Sequence, residues 1–180
     1  MILETRAIGK SFDGHKVLDK IDFSIKHGEL HVIGGLNGSG KSTFVKILTG
    51  QLERDSGSVY IEGRQVEIES FKDARKLGMA MVHQEYMLVP DLTLAENNFL
   101  GIGQFLTGRK KMNQLAGGIL ERVGLEIDPP KKAMEIDRDS QVCREIATAI
   151  ASKPSLLIID DPLTGLARPL HKRALKLLGE

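Results

Sequence analysis

The chain has 180 residues, with 25 Lys and Arg against 24 Asp and Glu and a single cysteine, Cys143. That length suits one domain with a buried core, and the near-zero net charge gives no basic excess to draw nucleic acid or an anionic membrane. One cysteine allows no internal disulfide, which fits a reducing cytosol, and no run approaches the roughly 20 apolar residues of a membrane span. The start, Met1 to Arg6, mixes acid and base and lacks a signal-peptide core.

Residues 2–8 and 17–26 alternate apolar and polar side chains, the second through Val17, Ile21, Phe23 and Ile25. Asp13-Gly14 lies between them and signals a tight hairpin. His27-Gly28 predicts a turn into a strand at Leu30-His31-Val32-Ile33. Gly35-Leu36-Asn37-Gly38-Ser39-Gly40-Lys41-Ser42-Thr43 follows and fits GxxxxGK[ST]. Its glycines let successive backbone N–H groups converge on phosphate, with Lys41 placed for the β and γ phosphates and the Ser42 hydroxyl for Mg²⁺. The blander reading is a Gly-rich turn between strand and helix. Phe44, Ile47 and Leu48 predict a helix running to Gly50, with its N-terminus toward the anion.

Further along, Asp55-Ser56-Gly57 predicts a turn and Ser58-Val59-Tyr60-Ile61 a strand. A short helix is expected over 70–77, capped by Ser70, and a short buried strand at Met79-Ala80-Met81-Val82, ending at His83-Gln84-Glu85. From Leu88 to about Glu135 the pattern turns helical, with segments at 94–100 and 112–123; another helix is expected at 140–151. Ser155 to Ile159 is a continuous apolar run, read as a strand buried on both faces of a parallel sheet, and it ends in Asp160. In proteins with such a phosphate loop, an aspartate after a second strand holds Mg²⁺, and Asp160 fits that role.

With these residues in place, the sequence resembles the ATP-binding subunits of ABC transporters, within them the sugar-importer branch. Ser70 to Ala74, Gly78 to Glu85 and Leu88 to Asn97 look like the glutamine loop and its surroundings, and Gly124 to Pro129 and Glu145 to Ala147 match downstream. The resemblance implies an α/β fold: an ABC-type P-loop NTPase domain over 1–180, with a mixed sheet, an N-terminal antiparallel hairpin region and a helical subdomain at about 88–152. It implies ATP and Mg²⁺ as cofactors, Phe12 as the ring that stacks on adenine, and Gln84 as a ligand of Mg²⁺ and the attacking water. The blander reading of Phe12 is a core residue of the hairpin. Gly35, Asn37, Gly38, Ser39, Gly40, Lys41, Ser42 and Thr43 would bind nucleotide. Ser42, Gln84 and Asp160 would serve the metal, and Asp161 and Gln84 catalysis.

The implied partners are a second nucleotide-binding domain and transmembrane permease subunits, with no nucleic acid. The implied location is the cytoplasmic face of the membrane, held through the permease. Four positions depart from the family. Its LSGGQ signature lines up with Ile136-Asp137-Arg138-Asp139-Ser140, and Asp161 replaces the catalytic glutamate. Ala167 replaces an aspartate, and the family's switch histidine has no counterpart before Glu180, His171 being too early and read as an exposed helix residue. These departures weigh against hydrolysis by this chain alone and favour, as the alternative, a non-hydrolysing nucleotide-binding or structural module. A missing strand would also leave a slot in the sheet. Neighbouring strands are expected to close it or the C-terminal segment to fill it; failing both, the isolated chain would be poorly stable. A GTPase would need an NKxD guanine reader, which is not found, and Arg109-Lys110-Lys111 reads as a solvated helix flank rather than a kinase lid.

Overall fold

The computed structural model describes residues 1–82, 88–100, 108–122, 124 and 126–160, with the side chain of residue 122 excepted. These residues fall into two compact units, one of 1–81 with 154–160 and the other of 82–153.

In the first unit, β1 (Leu3–Phe12) and β2 (His15–Ile25) form the expected hairpin, pairing from Leu3 with Ile25 to Phe12 with His15. Asp13 (φ 49°) and Gly14 (φ 80°) are both left-handed, the backbone that a two-residue hairpin turn demands. β3 (Ser56–Ile61) pairs antiparallel with the other edge of β1, and β4 (Arg64–Val66) pairs with β3, giving the order β2-β1-β3-β4. β4 is absent from the sequence reading: its three residues are too few to show a period. The turn predicted at 55–57 is shorter than expected, because Ser56 and Gly57 already belong to β3. At Gly57 (φ 91°) a Cβ would lie 2.5 Å from the carbonyl oxygens of Arg6 and Ala7, so a side chain cannot fit where β3 runs beside the irregular stretch of β1 between Arg6 and Gly9.

α1 (Lys41–Leu48) buries Phe44, Ile47 and Leu48 with Leu3 and Ile8 of β1 and Val59 and Ile61 of β3 in one core. α2 (Phe71–Lys76) is capped as predicted, the Ser70 hydroxyl accepting from the Asp73 N–H. β5 (Met79–Val82) pairs with β6 (Leu156–Ile159) in a separate two-stranded sheet.

Two strand expectations are corrected. Leu30-His31-Val32-Ile33 joins no ladder, and Leu30 and Val32 are 90 % and 87 % exposed. Its apolar run is that of a strand, but among the described residues no strand pairs with it, and without a neighbour the run cannot become sheet. So the closing of the slot by neighbouring strands is not seen among the described residues, and filling by the C-terminal segment concerns residues outside them. β6, expected to be buried on both faces, is half-buried throughout, as a member of a two-stranded sheet must be.

The second unit holds α3 (Leu94–Phe99), α4 (Arg109–Arg122), a 3-10 turn at Ala133–Glu135 and α5 (Arg138–Ala151). α4 begins three residues before its predicted start and α5 two. Thr93 and Glu96 form a reciprocal capping box on α3, legible in the sequence as T-x-x-E but not drawn from it. The next two amides of α3 find partners in another segment: Leu94 N–H donates to the Lys131 carbonyl (2.8 Å) and Ala95 N–H to that of Pro129 (3.1 Å). Buried Asn97 ties the preceding loop, its amide donating to the carbonyls of Val89, Leu92 and Thr93 while its oxygen accepts from the Val89 N–H. Apolar packing around Leu94, Leu120, Cys143 and Ala147 completes this unit's core.

Gly57 and Gly14 offer a paired test of the hairpin sheet. Both have positive φ, but a Cβ at Gly14 would meet nothing within 4 Å. Gly14→Ala is expected to cost about 1 kcal/mol of backbone strain, whereas Gly57→Ala adds a steric clash of about 1–3 kcal/mol. Urea unfolding of the two variants beside the parent checks the difference; equal losses would contradict it.

Candidate functional site

The loop at 35–43 is built on a close approach. Gly40 precedes α1 with φ 92°, and a Cβ there would stand 2.9 Å from both the Val17 carbonyl oxygen and the Leu18 side chain of β2. Gly38 is also left-handed (φ 82°) but faces open space. The Ser39 N–H donates to the Leu36 carbonyl (3.2 Å), tightening the loop between them.

Lys41 folds back over this loop, its Nζ donating to the carbonyls of Gly35 (2.8 Å) and Leu36 (2.9 Å). The ammonium therefore stands at the loop that the sequence assigned to phosphate, among exposed neighbours. Asn37 and Ser42 are exposed and Thr43 half-buried. No acid stands in the first turn of α1, and no side chain caps it. α2, α3 and α5 are each capped by a side chain, of Ser70, Thr93 and Asp137 respectively. An uncapped N-terminus keeps backbone donors and the positive end of the helix dipole available to an anion.

Asp160 follows β6 directly and is half-buried. Among the described residues no three His, Cys, Asp or Glu side chains gather round one point. A divalent ion bound with nucleotide needs no such cage, since it keeps waters and takes phosphate oxygens beside one or two protein oxygens. The hydroxyl of Ser42 and the carboxylate of Asp160 suit that chemistry. Phe12 ends β1 at 43 % exposure, with the Lys10 ammonium 5.7 Å from its ring centre, so it is not a core residue. Gln84, Asp161, Ala167 and His171 lie outside the described residues.

The N-terminus of α5 is organised in the opposite sense. Asp137 caps it, accepting from the Ser140 N–H (2.9 Å) and the Ser140 hydroxyl (2.7 Å). These bonds, the hydroxyl's first, hold the Asp137 carboxyl below the usual carboxylate range. The sequence reading saw this carboxylate as a substitution in a motif and missed that it caps the helix, although an aspartate just before a helical run is a plain N-cap signal.

The family described as ABC transporter matches residues 18–164. The chain is 41 % identical over 170 residues to the ribose import ATP-binding protein RbsA of Geobacillus kaustophilus, covering 92 % of this chain and 34 % of that protein. It is 38 % identical over 168 residues to a putative ribose/galactose/methyl galactoside import ATP-binding protein of Agrobacterium fabrum. It thus spans about a third of the length of the curated relatives it matches. Among solved structures, it is similar to a nucleotide-free ATP-binding cassette from an ABC transporter (TM-score 0.85, 27 % identity, covering 98 % of this chain and 75 % of that one). A cassette in its ADP conformation gives a TM-score of 0.82 at 27 % identity, with the same coverage.

The cap on α5 sets a pH test. A carboxyl held below its unfolded value contributes stability that is full above pH about 4 and is lost as the pH falls through the folded value. Asp137→Ala is expected to cost about 1 kcal/mol at pH 7, with the gap to the parent closing toward pH 2. Urea unfolding at the two pH values checks it; a gap that does not change with pH would overturn the assignment.

Proposed function

Because this chain belongs to the ABC transporter family of ATP-binding domains, we propose that it binds ATP with Mg²⁺ and serves carbohydrate import through permease subunits. The uncapped N-terminus of α1, with the Lys41 ammonium beside it, carries this reading. Entering phosphates offer the ammonium anionic oxygens in place of the neutral carbonyls of Gly35 and Leu36, a stronger class of hydrogen bond. The α1 backbone amides then close on the phosphates, and the exposed ring of Phe12 offers a face for the base. Mg²⁺ would be held by Ser42 and Asp160, with Gln84, and would neutralise charge developing on the phosphates. In the same reading Asp161 polarises the attacking water.

Residues 1–180 act here as one nucleotide-binding domain with a helical subdomain at about 88–152. The names of the relatives support the sugar-import setting. A second nucleotide-binding domain and permease subunits are the partners it implies, at the cytoplasmic face of a membrane. No helix among the described residues is long and apolar enough to cross one. The Asp137 cap bears on the pairing of two such domains. With the Ser140 donors already bound to an internal carboxylate, α5 is closed to a partner's phosphate, so this chain supplies the phosphate-loop half of a paired site.

A fluorescent ATP analogue titrated with and without Mg²⁺ tests the reading. Lys41→Ala is expected to weaken binding about 10- to 100-fold, the loss of a hydrogen bond to a charged group. Equal binding by parent and variant would sink the proposal. Phosphate release in the same samples, absent in the parent and unrescued by Asp161→Glu, would assign the chain to binding without turnover.

A further inference from the structure

One stretch of the first unit holds its apolar side chains out in solvent. Leu30, Val32 and Leu36 are 90 %, 87 % and 85 % exposed, and Ile33 is 43 % exposed. No other large apolar side chain among the described residues exceeds the 63 % of Met134. A single exposed leucine is ordinary, but four such side chains within seven residues form a patch, and large apolar patches mark interaction surfaces.

The stretch is held from its other side. The His31 ring meets Phe23 of β2 edge-on at 5.4 Å, with its Nε2 3.1 Å from Glu29 Oε2, and Phe23 in turn meets Phe44 of α1. With His31 turned toward β2, Leu30 and Val32 on either side of it point away, as alternate residues of an extended chain do. From Leu30 to Gly40 there is no Lys, Arg, Asp or Glu. Proteins keep like surfaces apart by opposing like charges, and this surface has none to oppose.

We propose that the patch is a contact between two copies of the chain, packed face to face about a two-fold axis close to Val32. An uncharged surface gives an acidic, basic or nucleic-acid partner little to recognise, whereas an identical copy meets leucine and valine with leucine and valine. The four side chains expose about 500 Å² per copy, so the pair buries about 1,000 Å² in all, the lower bound of a specific interface. The contact is therefore weak and depends on concentration. It needs no nucleotide, so it stands or falls apart from the nucleotide reading.

Light scattering on the whole chain without nucleotide is expected to show a monomer passing to a dimer, with a dissociation constant of about 10–100 µM. Val32→Lys is expected to raise that constant about tenfold or more, since a charge would enter an apolar contact, and to leave the melting temperature of the dilute chain unchanged. Val32→Cys on oxidation should give a disulfide-linked dimer; the parent is the control, because its Cys143 is 1 % exposed. A parent that stays monomeric at every concentration would overturn the proposal, as would a dimer that Val32→Lys leaves unchanged. A dimeric parent whose Val32→Cys variant forms no such disulfide would overturn it too.

Discussion

The candidate site depends on one place where no side chain fits. Gly40 lies against the Val17 carbonyl and the Leu18 side chain, closer than any Cβ allows, and α1 begins at the next residue. That contact fixes where the helix starts relative to β2, and β2 is fixed by its ladder with β1. Behind it, Phe44 packs edge-on against Phe23 of β2 at 5.8 Å, so the helix is held to the same strand at its N-terminus and one turn further on. A loop of open backbone is thereby seated on rigid elements, which is how a site holds its geometry while its own residues stay exposed.

The helix ends of the two units solve one electrostatic problem in different ways. Each N-terminus has amides without intrahelical partners. α3 satisfies its own with Thr93, Glu96 and the carbonyls of Pro129 and Lys131, and α5 with Asp137. α1 has only the left-handed Gly40 before it and no side-chain acceptor. The cost of an unsatisfied end is tolerable because the loop is exposed to water, and it is what leaves donors for a ligand. Side-chain caps close the N-termini of α3 and α5, while that of α1 is left uncapped.

Much of this was readable from the chain, for physical reasons that differ by element. The hairpin was legible because Asp13-Gly14 supports a left-handed turn between two alternating runs, and α1 because Phe44, Ile47 and Leu48 recur at helical spacing and are buried. Ser70 announced α2 by the same kind of local chemistry. Leu30 to Ile33 misled because a short apolar run records a preference for sheet and says nothing of a neighbour to pair with. β6 misled in the same way: four apolar residues in a row fit burial on both faces, but burial depends on what covers them. Asn98 and Arg144, both buried, gave no signal at all, since a polar residue in a helical run reads as solvated until another element closes over it.

The N-termini of α1 and α5 differ in what they offer an anion. A phosphate brought within about 4 Å of the Asp137 carboxylate would meet repulsion of about 4 kcal/mol at an effective dielectric constant near 20, for each unit of charge. Ser140 cannot offset it, because its N–H and hydroxyl are both committed to that carboxylate. Protonating Asp137 would remove the charge but requires acid, as the same two bonds hold its pKa down. At neutral pH the α5 N-terminus is therefore a closed and stable helix end. α1, by contrast, presents an uncapped N-terminus with the Lys41 ammonium at the loop before it, where α5 presents a carboxylate.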